Sequence, residues 1–301
     1  MTLGLATDPT GVPASTPGTS VRRPLLRSWR QVLKLTRYQL RDYLFSRRFV
    51  LMMALVAIIG FILTAVVGYY RPPPFLGNSG SFYATFWGSG VTVVIIFAGV
   101  IFGGDAIAGE FQNKTGYFLM GLPVRRATVY VGKYLAAFIA SLTAVVFFAG
   151  LLLANGAYYF GAGAFTADFF GSFALAIVYL LALLGAVFLF SSMFKTSTYA
   201  TLITAVLFLF GFSLLQALIA DLAHVTPWFI LTYADTVIGG IFNTSCLSAP
   251  GTHVCMSPGP PGSPPITVTN ATIAEGVGIM LAYFVITAIL GLFLFEREEF
   301  T

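Results

Sequence analysis

The stretch "FVLMMALVAIIGFILTAVVGYY", residues 49–70, contains no Asp, Glu, Lys, Arg or His. A helix needs about 20 apolar residues to cross about 30 Å of hydrocarbon, and this stretch meets that length. It lacks the alternation of apolar and polar residues that is typical of a membrane β-barrel strand. The stretch therefore predicts a transmembrane helix.

Five further apolar runs without a charged residue follow along the chain, at 83–104, 134–154, 169–193, 199–220 and 276–295. Of the 301 residues, 57% are hydrophobic and 9% are charged, whereas soluble domains carry about 25% charged residues. The mean hydropathy is +0.88. Because backbone groups in lipid must be bonded within their own segment, the sequence predicts an all-α membrane protein with six transmembrane helices, over 49–301.

The basic residues predict the orientation of these helices. All but one of the 16 Lys and Arg residues fall on one side of the predicted membrane: Arg22, Arg23, Arg27, Arg30, Lys34, Arg37, Arg41, Arg47, Arg48, Lys114, Arg125, Arg126, Lys133, Lys195 and Arg297. Arg71 falls on the other side. The positive-inside rule then places both termini in the cytoplasm. The net charge of +5 is explained by this topology and does not require a nucleic-acid partner.

Two different segments precede the first span. Residues 1–21 are rich in Thr, Pro, Gly and Ser, which predicts a disordered cytoplasmic tail. Residues 22–48, "RRPLLRSWRQVLKLTRYQLRDYLFSRR", place apolar residues at spacings of three or four with basic residues between them. This pattern predicts a basic amphipathic helix in the inner interface. Anchoring the chain and transmitting force from a cytoplasmic partner are two compatible roles for it.

The last extracytoplasmic loop, 221–275, is much longer than the others. It begins with the apolar stretch "TPWFILTYADTVIGGIF" at 226–242, which Asp235 and Gly239–Gly240 interrupt. We expect an interfacial or re-entrant helix pair there. The alternative is a seventh span, which would move the C-terminus to the outer side.

The same loop contains the only two cysteines, Cys246 and Cys255. On the oxidising side of the membrane a disulfide is the expected use of this pair. A metal site with His253 and Met256 is the alternative, but no second group of ligands supports it. We therefore expect no metal.

Several sequence motifs of nucleotide-binding and catalytic sites are missing from the sequence. There is no G-x-x-x-x-G-K-[ST] loop, so the chain has no phosphate-binding loop of its own. There is also no G-x-S-x-G motif, which argues against an intramembrane hydrolase. Ion-coupled transporters usually keep ionisable residues within the bilayer, and the six runs have none. If the protein moves a substrate uphill, the energy should come from another component.

The segment 105–133, "DAIAGEFQNKTGYFLMGLPVRRATVYVGK", separates the second and third apolar runs. Glu110 and Lys114 have the favourable acid-before-base spacing of four on a helix. Pro123 cannot continue that helix, and the following residues restart one. The sequence predicts a short cytoplasmic helix and a basic turn, an element that can dock to a soluble partner.

The order of residues in this segment resembles that of the ABC-2 family of membrane permeases. The matching residues are Glu110, Lys114, Thr115, Leu119, Leu122, Pro123, Arg126, Gly132 and Lys133. The resemblance extends to the amphipathic helix, the six spans and the long last outer loop. The sequence departs from the family pattern where Lys-Thr replaces the common Gly-Thr and where the outer loop is unusually rich in Pro, so the cargo is not inferred from relatives.

The resemblance implies a type V exporter-like permease fold in the plasma membrane. The chain would be the transmembrane subunit of an ATP-driven exporter, paired with a second, identical permease subunit and with two separate ATPase subunits. Those subunits would bind ATP and Mg²⁺, so this chain would be no enzyme and hold no cofactor. The alternatives are a membrane anchor or sensor that recruits a cytoplasmic protein, and an ion-coupled carrier.

The resemblance also implies two sets of functional residues. The ATPase would dock on the segment 105–133, through Glu110, Lys114, Thr115, Leu119, Leu122, Pro123, Arg125, Arg126 and Lys133. The substrate pathway would lie between spans two and five, with Phe86, Thr92, Phe97, Phe208, Phe212 and Gln216 as candidate lining residues. Gly99 and Gly103 in the second run form a pair of small residues that permits close helix contact.

Overall fold

The computed structural model describes residues 25–70, 79–113, 125–223, 227–242, 254–257, 266–269 and 271–297. Six helical segments in this part are long and apolar enough to cross a membrane, which confirms the all-α class with six spans. We number them span one to span six: Arg47–Tyr69, Ser79–Gln112, Arg126–Ala164, Ala167–Met193, Ser197–Ile219 and Ile273–Arg297.

The helix that precedes span one, Leu25–Phe45, is amphipathic, with Val32, Thr36 and Tyr43 on its buried face. It packs against the beginning of span three, where the Thr36 hydroxyl is shared between the Val32 carbonyl oxygen at 2.9 Å and the Gly132 carbonyl oxygen at 3.2 Å. Ser46 separates this helix from span one, and its hydroxyl oxygen accepts a hydrogen bond from the Phe49 amide at 3.3 Å. A serine at this position satisfies an amide at the start of a helix.

Spans two, three and four form the buried centre of the bundle, whereas spans one, five and six expose most of their side chains. Close packing at the centre depends on small residues of span two. A Cβ atom on Gly99 would lie 2.5 Å from Leu183 Cδ2, and one on Gly103 would lie 2.9 Å from Val187 Cγ1. The predicted small-residue pair therefore faces span four. In lipid such packing holds helices together, because lipid tails are as apolar as the side chains.

Two spans contain a turn of π-helix. In span two the turn Ala84–Gly88 lies between helices Ser79–Tyr83 and Ser89–Gly103. In span five the turn Leu207–Gly211 lies between helices Ser197–Val206 and Phe212–Ala223. A π-helical turn is rare and often marks a functional site.

The basic residues of the described chain lie at one end of the bundle, which we call the basic end. It contains the turn near the end of span two and the starts of spans one, three and five, as well as the last turn of span six. The helix of span three, Arg126–Phe160, reaches the opposite end, where Gly161 has a φ of 60°. A positive φ is a backbone conformation that glycine adopts more easily than other residues.

The stretch 226–242 contains a single helix, Leu231–Gly240, in its described part. Its ten residues extend about 15 Å, which is too short to cross the bilayer. Of the expected pair of helices, the described residues 227–242 contain this one, which packs against span two, span four and span six. We call it the short helix.

The long loop also contains a small hairpin that the sequence analysis did not predict. Strands β1, Val254–Ser257, and β2, Ile266–Thr269, pair in antiparallel fashion, with Val254 opposite Thr269. The expected tail 1–21 and Cys246 lie outside the described residues, and so does the predicted Cys246–Cys255 disulfide.

Candidate functional site

The turn near the end of span two lies at the centre of the basic end. We call residues 104–113 the junction segment. It contains the last residues of span two and consists of a turn that follows Gly103, the helix Ala108–Gln112 and the residue Asn113. Hydrogen bonds and ion pairs connect this segment to four different spans, as follows.

Lys133 of span three forms the most buried of these contacts. Its ammonium group donates to the Ala106 carbonyl oxygen at 2.7 Å and to Glu110 Oε1 at 2.5 Å. The Lys133 side chain is only 7% exposed, and the Glu110 side chain is 22% exposed. A buried charge is costly unless it is paired and hydrogen-bonded, and both conditions are met here. The pair fixes the junction segment to the start of span three.

Ser191 of span four contacts the same segment from the other side. Its hydroxyl oxygen accepts hydrogen bonds from the Ile107 and Ala108 amides, each at 3.1 Å. These amides lie at the start of the helix Ala108–Gln112, where backbone donors have no partner within the helix. A fully buried serine therefore satisfies two amides of the junction segment.

Spans one and five complete the connections. Arg48 of span one forms an ion pair with Asp105. The Ser197 amide at the start of span five donates to Gln112 Oε1 at 2.9 Å. The junction segment is thus bonded to spans one, three, four and five, and it contains the last residues of span two.

The candidate docking residues differ in their surroundings. Glu110 and Lys133 form the ion pair described above, so Lys133 is buried within the protein. Arg125 is exposed at the first position before the helix of span three, whereas the Arg126 guanidinium donates to the Glu296 carbonyl oxygen at 2.9 Å. The remaining candidates lie outside the described residues: Lys114, Thr115, Leu119, Leu122 and Pro123.

An open cavity of about 460 Å³ lies between spans two and five, toward the end of the bundle opposite the basic end. The short helix forms its third wall. The lining residues are Ala84, Gly88, Ser89, Thr92, Val93, Ile96, Phe208, Leu209, Ser213, Thr232, Asp235, Thr236, Gly239 and Gly240. Both π-helical turns contribute to this lining.

The short helix is held in place by close backbone packing and by buried hydrogen bonds. A Cβ atom on Gly88 would lie 2.7 Å from the Gly239 Cα atom, so the two backbones meet there without side chains. Trp87 Nε1 donates to Ser172 Oγ at 2.9 Å, and the Ser172 hydroxyl donates to the Ile238 carbonyl oxygen at 2.5 Å. These contacts position the wall that carries Asp235.

Two of the six candidate pathway residues, Thr92 and Phe208, line this cavity. Gln216 lies next to it, because its side-chain oxygen accepts a hydrogen bond from the lining residue Thr232 at 2.7 Å. Phe86, Phe97 and Phe212 pack against the core instead and are not part of the lining. The structure thus brings three of the six residues to one place.

Sequence reasoning missed three residues of these sites. Asp235 was recognised only as an interruption of an apolar stretch, although an acidic residue within such a stretch is itself a signal of function. Ser191 and Arg48 carried no such signal, because their partners, Ile107 and Asp105, are distant in sequence.

The comparisons with known proteins agree with this architecture. The sequence model of the family described as "ABC-2 family transporter protein" matches residues 33–300, which is most of the chain. A comparison with curated proteins finds no match to this sequence. The matched region contains all six spans, the junction segment and the cavity. The chain therefore belongs to the ABC-2 family of transporter proteins.

Proposed function

We propose that this chain is the permease subunit of an ATP-driven exporter, in which two permease subunits form the substrate pathway. Permeases of the ABC-2 family work with cytoplasmic ATPase subunits and are not enzymes themselves. In this proposal the basic end lies in the cytoplasm, as the positive-inside rule predicts. The partner ATPase binds ATP and Mg²⁺, and this chain converts its closure into movement of the spans.

The observation that carries the proposal is the set of bonds around the junction segment. A force on a surface loop moves the membrane helices only if the loop is firmly connected to them. The junction segment leads directly into 114–124, where the docking residues are expected. It is bonded to spans one, three, four and five. A push on this region would therefore reach five spans, span two included.

The amphipathic helix Leu25–Phe45 provides a second contact for the same force. It packs on span three, where Gly132 allows close approach and Thr36 bonds to the Gly132 carbonyl oxygen. Lys133, the next residue, holds the junction segment. A movement of the amphipathic helix would therefore act on the same point of span three as a movement of the junction segment.

The cavity between spans two and five supports the position of the substrate pathway. It is open at one side, and span five exposes most of its apolar residues there. In the proposed dimer these surfaces face the second permease subunit. Cargo would then pass along spans two and five, where π-helical turns interrupt the regular helices.

A charge reversal on an exposed docking residue tests the proposal. Arg125→Glu changes the charge next to the expected docking loop, and the side chain is exposed, so the fold should be unaffected. Lys195→Glu is the matched control, because Lys195 is an exposed basic residue at the same end of the bundle. Both variants and the wild type are purified in mild detergent together with the bound ATPase.

The amount of ATPase that is purified with Arg125→Glu should be at least about tenfold lower than with the wild type. The reason is that an interfacial charge pair of about 1.4 kcal/mol or more becomes repulsive. Lys195→Glu should retain the ATPase. Equal amounts of ATPase on the wild type and both variants would show that this turn is not the docking site. Absence of any ATPase from the wild-type preparation would contradict the proposed function itself.

A further inference from the structure

The cavity contains one acidic side chain, Asp235, at a place where a charge is expensive. Asp235 lies on the short helix, next to apolar runs that contain no Asp, Glu, Lys, Arg or His. Within the described part of the chain, no basic residue lines the cavity and no ion pair involves Asp235. An acidic group among membrane helices is usually paired and usually functional. Its pairing partner is therefore expected to come from the cargo.

Tyr179 of span four stands next to this carboxyl group. The Tyr179 side chain is fully buried, and its hydroxyl is the hydrogen-bonding neighbour of the Asp235 carboxyl group. A buried hydroxyl is costly without a partner, and Asp235 provides one. Tyr179 thus contacts Asp235 from span four, and Asp235 also lines the cavity, where a ligand can reach it.

Five residues of the lining carry a hydroxyl group, and three of these groups leave only acceptors for a ligand. The other two residues are Thr92 and Ser213. Ser89 donates its hydrogen to the Thr85 carbonyl oxygen at 2.6 Å, and Thr232 donates to Gln216 at 2.7 Å. Thr236 donates to the Tyr233 carbonyl oxygen at 2.7 Å. Since each hydroxyl has one hydrogen, these three groups can offer the cavity only oxygen lone pairs. The site therefore suits a ligand that brings N–H donors.

Apart from Thr92 and Ser213, the rest of the lining is apolar. Val93 and Ile96 of span two face Phe208 and Leu209 of span five across the cavity. A volume of about 460 Å³ is that of a pocket for a small organic molecule, which such pockets usually bind through apolar contacts and a few polar groups. A bare metal ion would leave most of this surface unused.

We propose that this cavity binds the protonated amine of an amphipathic organic cation, with Asp235 as the group that recognises the charge. The ammonium N–H groups donate to the Asp235 carboxylate and to the oxygens of Ser89 and Thr232. The apolar body of the ligand packs between spans two and five. This inference names the cargo class of the proposed exporter and rests on that function for its biological meaning, but the binding site itself can be tested without ATP.

Two fluorescent probes with the same body test the inference. Dansylcadaverine carries a primary ammonium group on a five-carbon chain, and its N-acetyl derivative is neutral. Binding of each to the purified full-length permease in nanodiscs is followed by the increase in dansyl fluorescence. The variants are Asp235→Asn, which removes the charge with little change of shape, and Asp235→Glu, which keeps it.

Asp168→Asn is the matched control, because Asp168 is an exposed acidic residue at the same end of the bundle. Thr92→Trp is an independent variant that keeps Asp235 but fills the cavity. Thermal unfolding of each variant establishes that it is folded before its affinity is compared.

We expect the wild type to bind dansylcadaverine at least about tenfold more tightly than the neutral probe, as a charge-assisted hydrogen bond would give. Asp235→Asn should abolish the difference, whereas Asp235→Glu and Asp168→Asn should keep it. Thr92→Trp should weaken both probes. Equal affinity for the two probes in the wild type, no binding of the cation, or a preference that persists in Asp235→Asn would overturn the inference.

The outcome is separable from that of the proposed function. A preference for the cation that depends on Asp235, in a protein for which no ATPase partner is found, would support the binding site and refute the exporter. A stoichiometric ATPase partner together with equal affinity for both probes would support the exporter and refute the binding site.

Discussion

The ammonium group of Lys133 holds the carboxylate of Glu110 at 2.5 Å and the Ala106 carbonyl oxygen at 2.7 Å. Lys133 therefore joins the start of span three to both the turn and the helix of the junction segment. The pair is mostly buried, so each charge is stabilised by the other and not by water alone. This contact is the structural centre of the coupling region that we propose.

Removal of either partner of this pair should lower the free energy of unfolding. Glu110→Ala leaves the Lys133 ammonium buried without its carboxylate, and we expect a loss of about 3 kcal/mol. The single variant Lys133→Met and the double variant Glu110→Ala with Lys133→Met complete the cycle. The double variant removes both charges and should lose less than the sum of the two single variants. Unfolding in mixed micelles with increasing SDS measures these differences. Strict additivity would contradict a direct interaction between the two residues.

The same pair should matter for coupling. Glu110→Ala should leave ATP hydrolysis by the bound partner active but reduce transport per ATP, because the junction segment is released from span three. Transport and hydrolysis are measured together in proteoliposomes that contain permease and ATPase. Unchanged coupled transport in Glu110→Ala would count against the role of segment 105–133.

Ser191 and Ser192 provide a matched test of the junction segment. Ser191→Ala leaves the Ile107 and Ala108 amides without their buried acceptor, and we expect a loss of about 2 kcal/mol in the free energy of unfolding. Ser192 donates only to the Phe188 carbonyl oxygen within its own helix, so Ser192→Ala should cost about 1 kcal/mol or less. Hydrogen exchange at Ile107 and Ala108 should accelerate in the first variant alone. Equal effects of the two changes would argue against the contact.

The contact between the amphipathic helix and span three depends on Gly132. A Cβ atom at Gly132 would lie 2.9 Å from Leu35 Cδ2 and 3.3 Å from Leu35 Cβ, so Gly132→Ala should push the helices apart. We expect a destabilisation of about 1 kcal/mol, as overpacking gives. Gly150 lies in the same helix with no atom within 4 Å of the corresponding position, so Gly150→Ala is the control. Thermal unfolding compares both variants with the wild type. A Gly132→Ala variant that is as stable as the wild type, or more stable, would refute the tight contact.

The wall of the cavity depends on the contact between Gly88 and Gly239. In Gly88→Ala the new methyl group would meet the Gly239 backbone, which cannot rotate away as a side chain can. The short helix should shift, and both dansyl probes should bind more weakly. Gly278→Ala in span six meets no atom within 4 Å and serves as the control. Unchanged probe binding in Gly88→Ala would show that the short helix does not shape the binding site.

The sequence predicts the spans well, because each apolar run is long enough to cross the bilayer and contains no charge. The six spans and the family match make the chain a multi-pass protein of the plasma membrane. The burial of Lys133 was not predictable in the same way, since its charge counts equally for topology whether it is buried or exposed. Its partner Glu110 is 23 residues away, and only the packing of span two against span three brings them together.

The cavity was only half predictable. Thr92 and Phe208 follow from the expected pathway between spans two and five. Asp235 joins them only because the short helix folds back against Gly88, a contact between residues about 150 positions apart in the sequence. The π-helical turns had no signal in the sequence either, because their residues are as apolar as those of the adjoining helices.

The central claim is that a separate ATPase drives this permease. Its most direct test is the purification of the full-length protein from its native membrane in mild detergent, with mass spectrometry of the proteins that remain bound. We expect a stoichiometric partner that carries a phosphate-binding loop and hydrolyses ATP, and we expect this partner to be lost when Arg125 is changed to Glu. A protein that is purified alone and still moves solutes across liposomes without ATP would show that no separate ATPase drives it.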